Sequence, residues 1–210
     1  MNLIDSKIYF NEVANQWDTM RQEFFSEAVR EKAYSLANVK AGEIAADIGA
    51  GTGFVTDGLI QKGLRVIAID RSKEMLQQMK NKFGANSGVE YRQGEAECLP
   101  IENNSADYAM ANMFLHHVEE PLIAIKEMVR VLKPGGKLVI TDLDEHNFDF
   151  LKTEHHDRWM GFKREDVANW FSCAGLNNVE IDCAGGNCCA TSGCGCDNAN
   201  ISIFVAYGEK

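Results

Sequence analysis

An α/β fold is expected for this chain, with a mostly parallel sheet, helices on both faces and an antiparallel hairpin at its end. Three observations predict it. From Ala41 onward short apolar runs alternate with amphipathic helical patterns, as β-α-β units do. The first of those runs leads into a glycine-rich turn, Asp47-Ile48-Gly49-Ala50-Gly51-Thr52-Gly53. The last two apolar runs are joined by a segment too short for a crossover helix, so they must pair antiparallel.

The elements follow in order. The first 40 residues read as helices, with Trp17, Phe24, Phe25, Ala28, Val29, Ala33 and Leu36 supplying apolar stripes. Glu43 to Ile48 is the first strand, and the helix after the glycine turn stops at Gly63. Leu64 to Ile69 is the second strand; Ser72 then caps a helix reaching about Phe83, with Glu74 in its first turn. Val89 to Arg92 and Asp107 to Met113 are the third and fourth strands. Pro121 opens a helix whose Leu122, Ile125, Val129 and Leu132 share one face, and Pro134-Gly135-Gly136 is expected to end it. Lys137 to Leu143 is the fifth strand. A polar segment, Asp144 to Met160, precedes a helix carrying Val167, Trp170, Phe171 and Ala174 at i, i+3, i+4, i+7. Val179 to Cys183 and Ala199 to Tyr207 are the last two strands. Residues 1–40 are thus expected to form a helical cap and 41–210 the main domain.

Composition narrows the function. With 45% hydrophobic and 25% charged residues, the 210-residue chain can bury an ordinary globular core. Its formal charge of −10 argues against a nonspecific grip on nucleic acid or anionic membranes. No apolar run approaches the length of a bilayer span, and Asp5, Glu12 and Asp18 interrupt any signal-like start. A cytoplasmic protein is expected.

The glycine turn carries the sharpest chemistry. A dinucleotide fingerprint needs glycines at G-x-G-x-x-G, but position 54 is Phe and the third glycine comes one residue early. An acid, Asp47, precedes the first glycine. Asp70 ends the second strand, where a carboxylate can accept both hydroxyls of a ribose. A nucleoside cofactor other than NAD is the reading that accommodates all three features.

From about Trp17 to Leu143 the chain resembles the class I S-adenosylmethionine-dependent methyltransferases, in the branch containing the ubiquinone and menaquinone biosynthesis enzymes. The matching stretches are Asp47 to Gly53, Val66 to Asp70, Gly94-Glu95-Ala96-Glu97 before Leu99-Pro100, Asp107 to His117, and Leu132 to Gly136. The resemblance implies a Rossmann-like seven-stranded sheet of order 3-2-1-4-5-7-6. It implies Asp47 near the methionine amino group, Gly49, Ala50, Gly51 and Gly53 under the cofactor, and Asp70 on the ribose. It further implies Arg71 and Met75 beside the adenine, Glu95 and Ala96 at its edge, and Asn112 and Leu115 on the floor. Tyr9, Phe10 and Trp17 would fold over the site. Because a sulfonium already activates the methyl group, such an enzyme mainly orients its reactants and excludes water, so the cofactor motifs leave the acceptor open.

The acceptor question turns on the cysteines, five of seven of which lie between Cys183 and Cys196. There are no paired C-x-x-C knuckles, so a structural zinc site is not signalled by spacing, and the vicinal Cys188-Cys189 and the Cys194-Gly195-Cys196 pair suit soft, thiophilic ions better than hard ones. The segment is read as a loop on the cofactor side of the sheet, with Cys183, Cys188, Cys189, Cys194 and Cys196 as candidate ligands of a soft metal or metalloid such as arsenite, reminiscent of the arsenite methyltransferases. His116 and His117 follow the fourth strand, and His146, His155 and His156 lie in the polar segment after the fifth, on the same side. Cys188, Cys189, His116 and His155 are the catalytic candidates. The alternatives are a methyltransferase of a small quinone-like molecule with zinc or no ion in the Cys loop, and a metal-sensing or sequestering protein.

Overall fold

The computed structural model describes residues 6–84 and 88–210, so the first five residues of the expected cap lie outside it. Three helices come first: α1 (Ser6–Val13), α2 (Trp17–Phe24) and α3 (Ala28–Ala37). β1 (Ile44–Ile48), α4 (Phe54–Gln61), β2 (Arg65–Asp70), α5 (Lys73–Phe83), β3 (Val89–Gln93) and β4 (Ala106–Asn112) follow. The second half holds α6 (Pro121–Val131), β5 (Leu132–Leu143), α7 (Phe150–Glu154), α8 (Arg164–Cys173), β6 (Asn177–Thr191) and β7 (Asn198–Glu209). One seven-stranded sheet runs β3-β2-β1-β4-β5-β7-β6, the expected order. β1 to β5 pair in parallel, and β7 pairs antiparallel with both β5 and β6.

Strand alternation divides the core between the two sheet faces. Ala45, Tyr108, Met110 and Val139 join one buried cluster with Val29, Tyr34 and Leu59 from the helices. Their neighbours Ala46, Ala109, Leu138 and Ile140 join the other, against Ile125, Met128 and Phe171. Local signals set the boundaries. Ser72 Oγ accepts the Met75 amide at 3.1 Å and starts α5, and Gly63 at φ 81° ends α4.

Two expectations need correction. Pro134-Gly135-Gly136 does not end α6, which stops at Val131; the chain passes straight into β5. The register shifts between Ala106↔Leu132 and Tyr108↔Lys137, so the Pro-Gly-Gly residues bulge out of the ladder, and Gly135 takes the left-handed φ of 77° that the bulge requires. The second correction concerns the cysteine segment. β6 continues past Cys183 to Thr191, with a register break between Cys183 and Asn187, and only residues 192–197 form the turn into β7. The expected loop is mostly an edge strand.

Candidate functional site

The main cavity opens at the carboxyl ends of β1, β2 and β4, where an open α/β sheet reverses strand order. Its volume is about 600 Å³. The glycine turn forms one wall. Gly51 has φ 54° and Gly53 φ 94°, conformations that L side chains rarely adopt. The turn is tied down from outside: Asp70 Oδ2 accepts the Gly51 amide at 2.8 Å while its Oδ1 accepts Ser72 at 2.8 Å. Burial raises Asp70 above the usual carboxylate range against both of these hydrogen bonds.

Asp47 sits beneath, 1% exposed, with Oδ2 accepting both the amide and the hydroxyl of Thr56 at 2.9 and 2.6 Å. Burial pushes it up to about 7. The far side of the cavity comes from α1 and α2: Phe10, Trp17 and Arg21 line it. α2 is fastened to the glycine turn by Thr52 Oγ1, which donates to Asp18 Oδ1 at 2.6 Å. The Arg21 guanidinium lies 4.1 Å over the Phe54 ring, and its Nε is buried with no partner among the described residues. Arg21 lines the cavity, and a buried cation with an unused donor at its wall fits an anionic group of a ligand.

Of the sequence-predicted cofactor residues, Asp47, Gly49, Ala50, Gly51, Asp70 and Arg71 line this cavity, as do Met75, Glu95, Ala96, Asn112 and Trp17. Three do not. Gly53 is the N-cap of α4, and a Cβ there would meet Phe83 at 2.6 Å and Met79 at 3.0 Å, so its bareness serves packing against α5. Leu115 is fully buried in the core. Tyr9 lines a second cavity instead. Gly49 lines the cavity, yet a Cβ on it would fall within the Phe114 ring, so Phe114 already uses the space it leaves. Met113, the residue before Phe114 and just past the end of β4, is a non-glycine residue at φ 50°.

The second cavity, about 50 Å³, shares Phe10, Trp17, Phe25, Met113 and His117 with the first. His116, His155, Asp157, Cys188 and Tyr9 also line it. A 3₁₀ turn, Leu115–His117, presents the two adjacent histidines. His116 Nδ1 lies 2.7 Å from Asp142 Oδ1, and Asp142 Oδ2 accepts the Leu115 amide at 2.7 Å. Segment 155–159 closes over this turn: the Arg158 and Trp159 amides both donate to the His116 carbonyl at 3.0 Å, and Trp159 Nε1 donates to Val118 O at 2.8 Å. Burial pulls His116 down, but the Asp142 and Asp157 carboxylates outweigh it and push the imidazole up to about 9. Burial, reinforced by His116, holds His117 well below the ordinary imidazole range, and burial raises Asp157 to about 6. Asp142 and Asp157 were missed in the sequence. The first carries a strand-end signal like that of Asp70, whereas the second is visible only once the chain folds back.

The structure does not gather the thiols. In β6, Cys188 points inward and is buried while Cys189 is exposed on the opposite face, so this vicinal pair cannot close on one ion. Cys183 is exposed beyond the register break, and Cys194 and Cys196 sit in the exposed turn. Cys194 Sγ accepts the Cys196 amide at 3.3 Å, and hydrogen bonds from Cys196 and Ser192 hold this thiol below its usual range. Among the described residues, the donor atoms brought together are instead those of His116, His117 and Asp157.

Comparisons with known proteins agree with this geometry. Residues 46–140 match the family described as "Methyltransferase domain". The chain is 34% identical over 119 residues to demethylmenaquinone methyltransferase of Renibacterium salmoninarum, covering 57% of this chain and 49% of that protein. It is 33% identical over 138 residues to 2-methyl-6-phytyl-1,4-hydroquinone methyltransferase 1 of Oryza sativa subsp. japonica, covering 64% and 41%. It spans about half the length of such relatives. A SAM-dependent methyltransferase of Aquifex aeolicus has the same fold, with TM-score 0.69 at 22% identity over 95% of this chain and 97% of that one. Over residues 46–140 the chain is therefore similar to a methyltransferase domain. No helix among the described residues is long and apolar enough to cross a membrane.

Proposed function

We propose that this chain transfers the methyl group of S-adenosylmethionine to a small organic acceptor of the quinol type. The observation that carries the reading is one cavity combining the glycine turn, Asp47, Asp70 and Arg21 at the sheet's switch point and sharing a wall with a smaller aromatic cavity. When bound, the cofactor supplies a methyl group on a sulfonium, an electrophile that needs no further activation.

Each protein group has a matching task. Asp70 would accept the ribose hydroxyls with the lone pairs left after its bonds to Gly51 and Ser72. Arg21 would take the methionine carboxylate, and Asp47 would balance the amino group. Met75 and Ala96 offer apolar surface to the adenine. The acceptor would enter against Phe10, Trp17, Phe25 and Met113, whose apolar surfaces suit a ring and keep water from the reacting centre. The names of the relatives support the quinol class: one acts on demethylmenaquinone and one on a hydroquinone.

An acceptor screen with labelled methyl donor tests this. Label should pass to reduced quinols and phenols. Transfer confined to arsenite or thiols, or no transfer with any acceptor while the cofactor binds, would overturn the acceptor class.

A further inference from the structure

His116, His117 and Asp157 lie together at the wall of the second cavity. Their side chains are 6%, 11% and 5% exposed. His116 Nε2 stands 3.7 Å and His117 Nε2 3.9 Å from Asp157 Oδ1, and the ligand atoms of the three all fall within 4.8 Å of one another. These separations are too long for hydrogen bonds. They approach the spacing of donors around a shared ion: with bonds of about 2.0–2.1 Å, two ligands of a tetrahedral ion stand roughly 3.4 Å apart. The other nitrogen of His116 meets Asp142 at 2.7 Å, the outer carboxylate partner that orients metal-bound histidines. Asp142 is itself held by the Leu115 and Leu143 amides at 2.7 Å.

We propose that His116 Nε2, His117 Nε2 and Asp157 Oδ1 bind one divalent transition-metal ion, with Asp142 as its outer support. Two imidazoles and one carboxylate suit zinc, iron or cobalt, and three protein ligands leave a position open. All three ligands line the second cavity, so the open position faces it. About 50 Å³ is ample for an ion and a few waters. Resting on the methyl-transfer reading above, the ion would hold the acceptor through a hydroxyl oxygen. It would thereby fix the acceptor beside His117, which also lines the cofactor cavity.

The test is a cobalt(II) titration of the chelator-stripped full chain, read by visible absorption. One equivalent should bind, with a spectrum lacking a sulfur charge-transfer band. Asp157→Asn and His117→Gln should each weaken binding at least tenfold while keeping the wild-type circular dichroism. A variant with Cys189, Cys194 and Cys196 all changed to Ser should bind as wild type does. Absence of stoichiometric binding, unchanged affinity in Asp157→Asn and His117→Gln, or loss in the cysteine variant with a sulfur band in wild type would each overturn the site. The titration requires no cofactor, so its failure is distinguishable from failure of the methyl-transfer reading, which calorimetry with S-adenosylhomocysteine decides separately.

Discussion

The His116 imidazole and the Asp142 carboxylate form a buried pair, Nδ1 to Oδ1 at 2.7 Å, joining the turn after β4 to the end of β5. Asp142 is fully buried and also takes the amides of Leu115 and Leu143. One carboxylate therefore fixes both the ring orientation of His116 and the path of the chain around it.

Asp142→Asn should destabilise the fold strongly. Its amide nitrogen would face N–H groups or an imidazole that needs an acceptor, leaving buried donors unpaired. The expected loss is about 2–4 kcal/mol in urea unfolding. An unchanged midpoint would mean the pair is not structural.

Asp47 gives a pH prediction with a definite sign. Burial raises its value in the folded chain to about 7 from the ordinary 3.8, so the native state binds this proton more tightly than the unfolded state. Its stabilising effect is present below the unfolded value and is lost as pH rises toward about 7. Asp47→Asn keeps an oxygen for the two Thr56 bonds and removes the titration. The variant's unfolding free energy relative to wild type should climb from about pH 4 to about pH 7 and then level off. A pH-independent difference would refute a raised Asp47.

Arg21 should matter to the cofactor more than to the fold. Its guanidinium stacks on Phe54 and carries a buried, unused Nε. Arg21→Ala should weaken binding of S-adenosylhomocysteine by about 2 kcal/mol, roughly thirtyfold, through loss of a charge-assisted hydrogen bond. Arg21→Lys should recover part of that affinity. Equal affinities in all three proteins would remove Arg21 from the site.

Thiol reactivity reads the hairpin directly. Six cysteines are exposed, whereas burial pushes Cys188 up to about 12. A thiol-specific disulfide reagent at neutral pH should label six groups in the native protein and the seventh only on unfolding. Seven fast groups would contradict an inward-facing Cys188.

The sheet was legible in the sequence because its strands are short apolar runs between strong stops. Gly63, Ser72 and Pro121 each mark a boundary that the structure keeps. The placement of the cavity wall was legible for the same reason, since Asp47, Gly51 and Asp70 sit at strand ends, where the largest opening of an open α/β sheet forms. The cysteine segment misled because glycine and asparagine among thiols resemble a loop. In the fold, β7 supplies Ser202, Ile201 and Asn200 as a ladder that holds Asn187 to Cys189 extended. Pairing of that kind is nonlocal and leaves no periodicity beyond five or six residues. Asp157 was invisible for a related reason: its meeting with His116 depends on a chain reversal over 155–159, anchored on backbone carbonyls that any sequence would present.

Calorimetric titration of S-adenosylhomocysteine into the wild-type chain and Asp70→Ala tests the central claim most directly, because Asp70 both braces Gly51 and faces the cavity. The account predicts one site in wild type and an affinity lower by about 2–3 kcal/mol, roughly 30- to 150-fold, in the variant. No binding to wild type, or equal binding to both proteins, would contradict it.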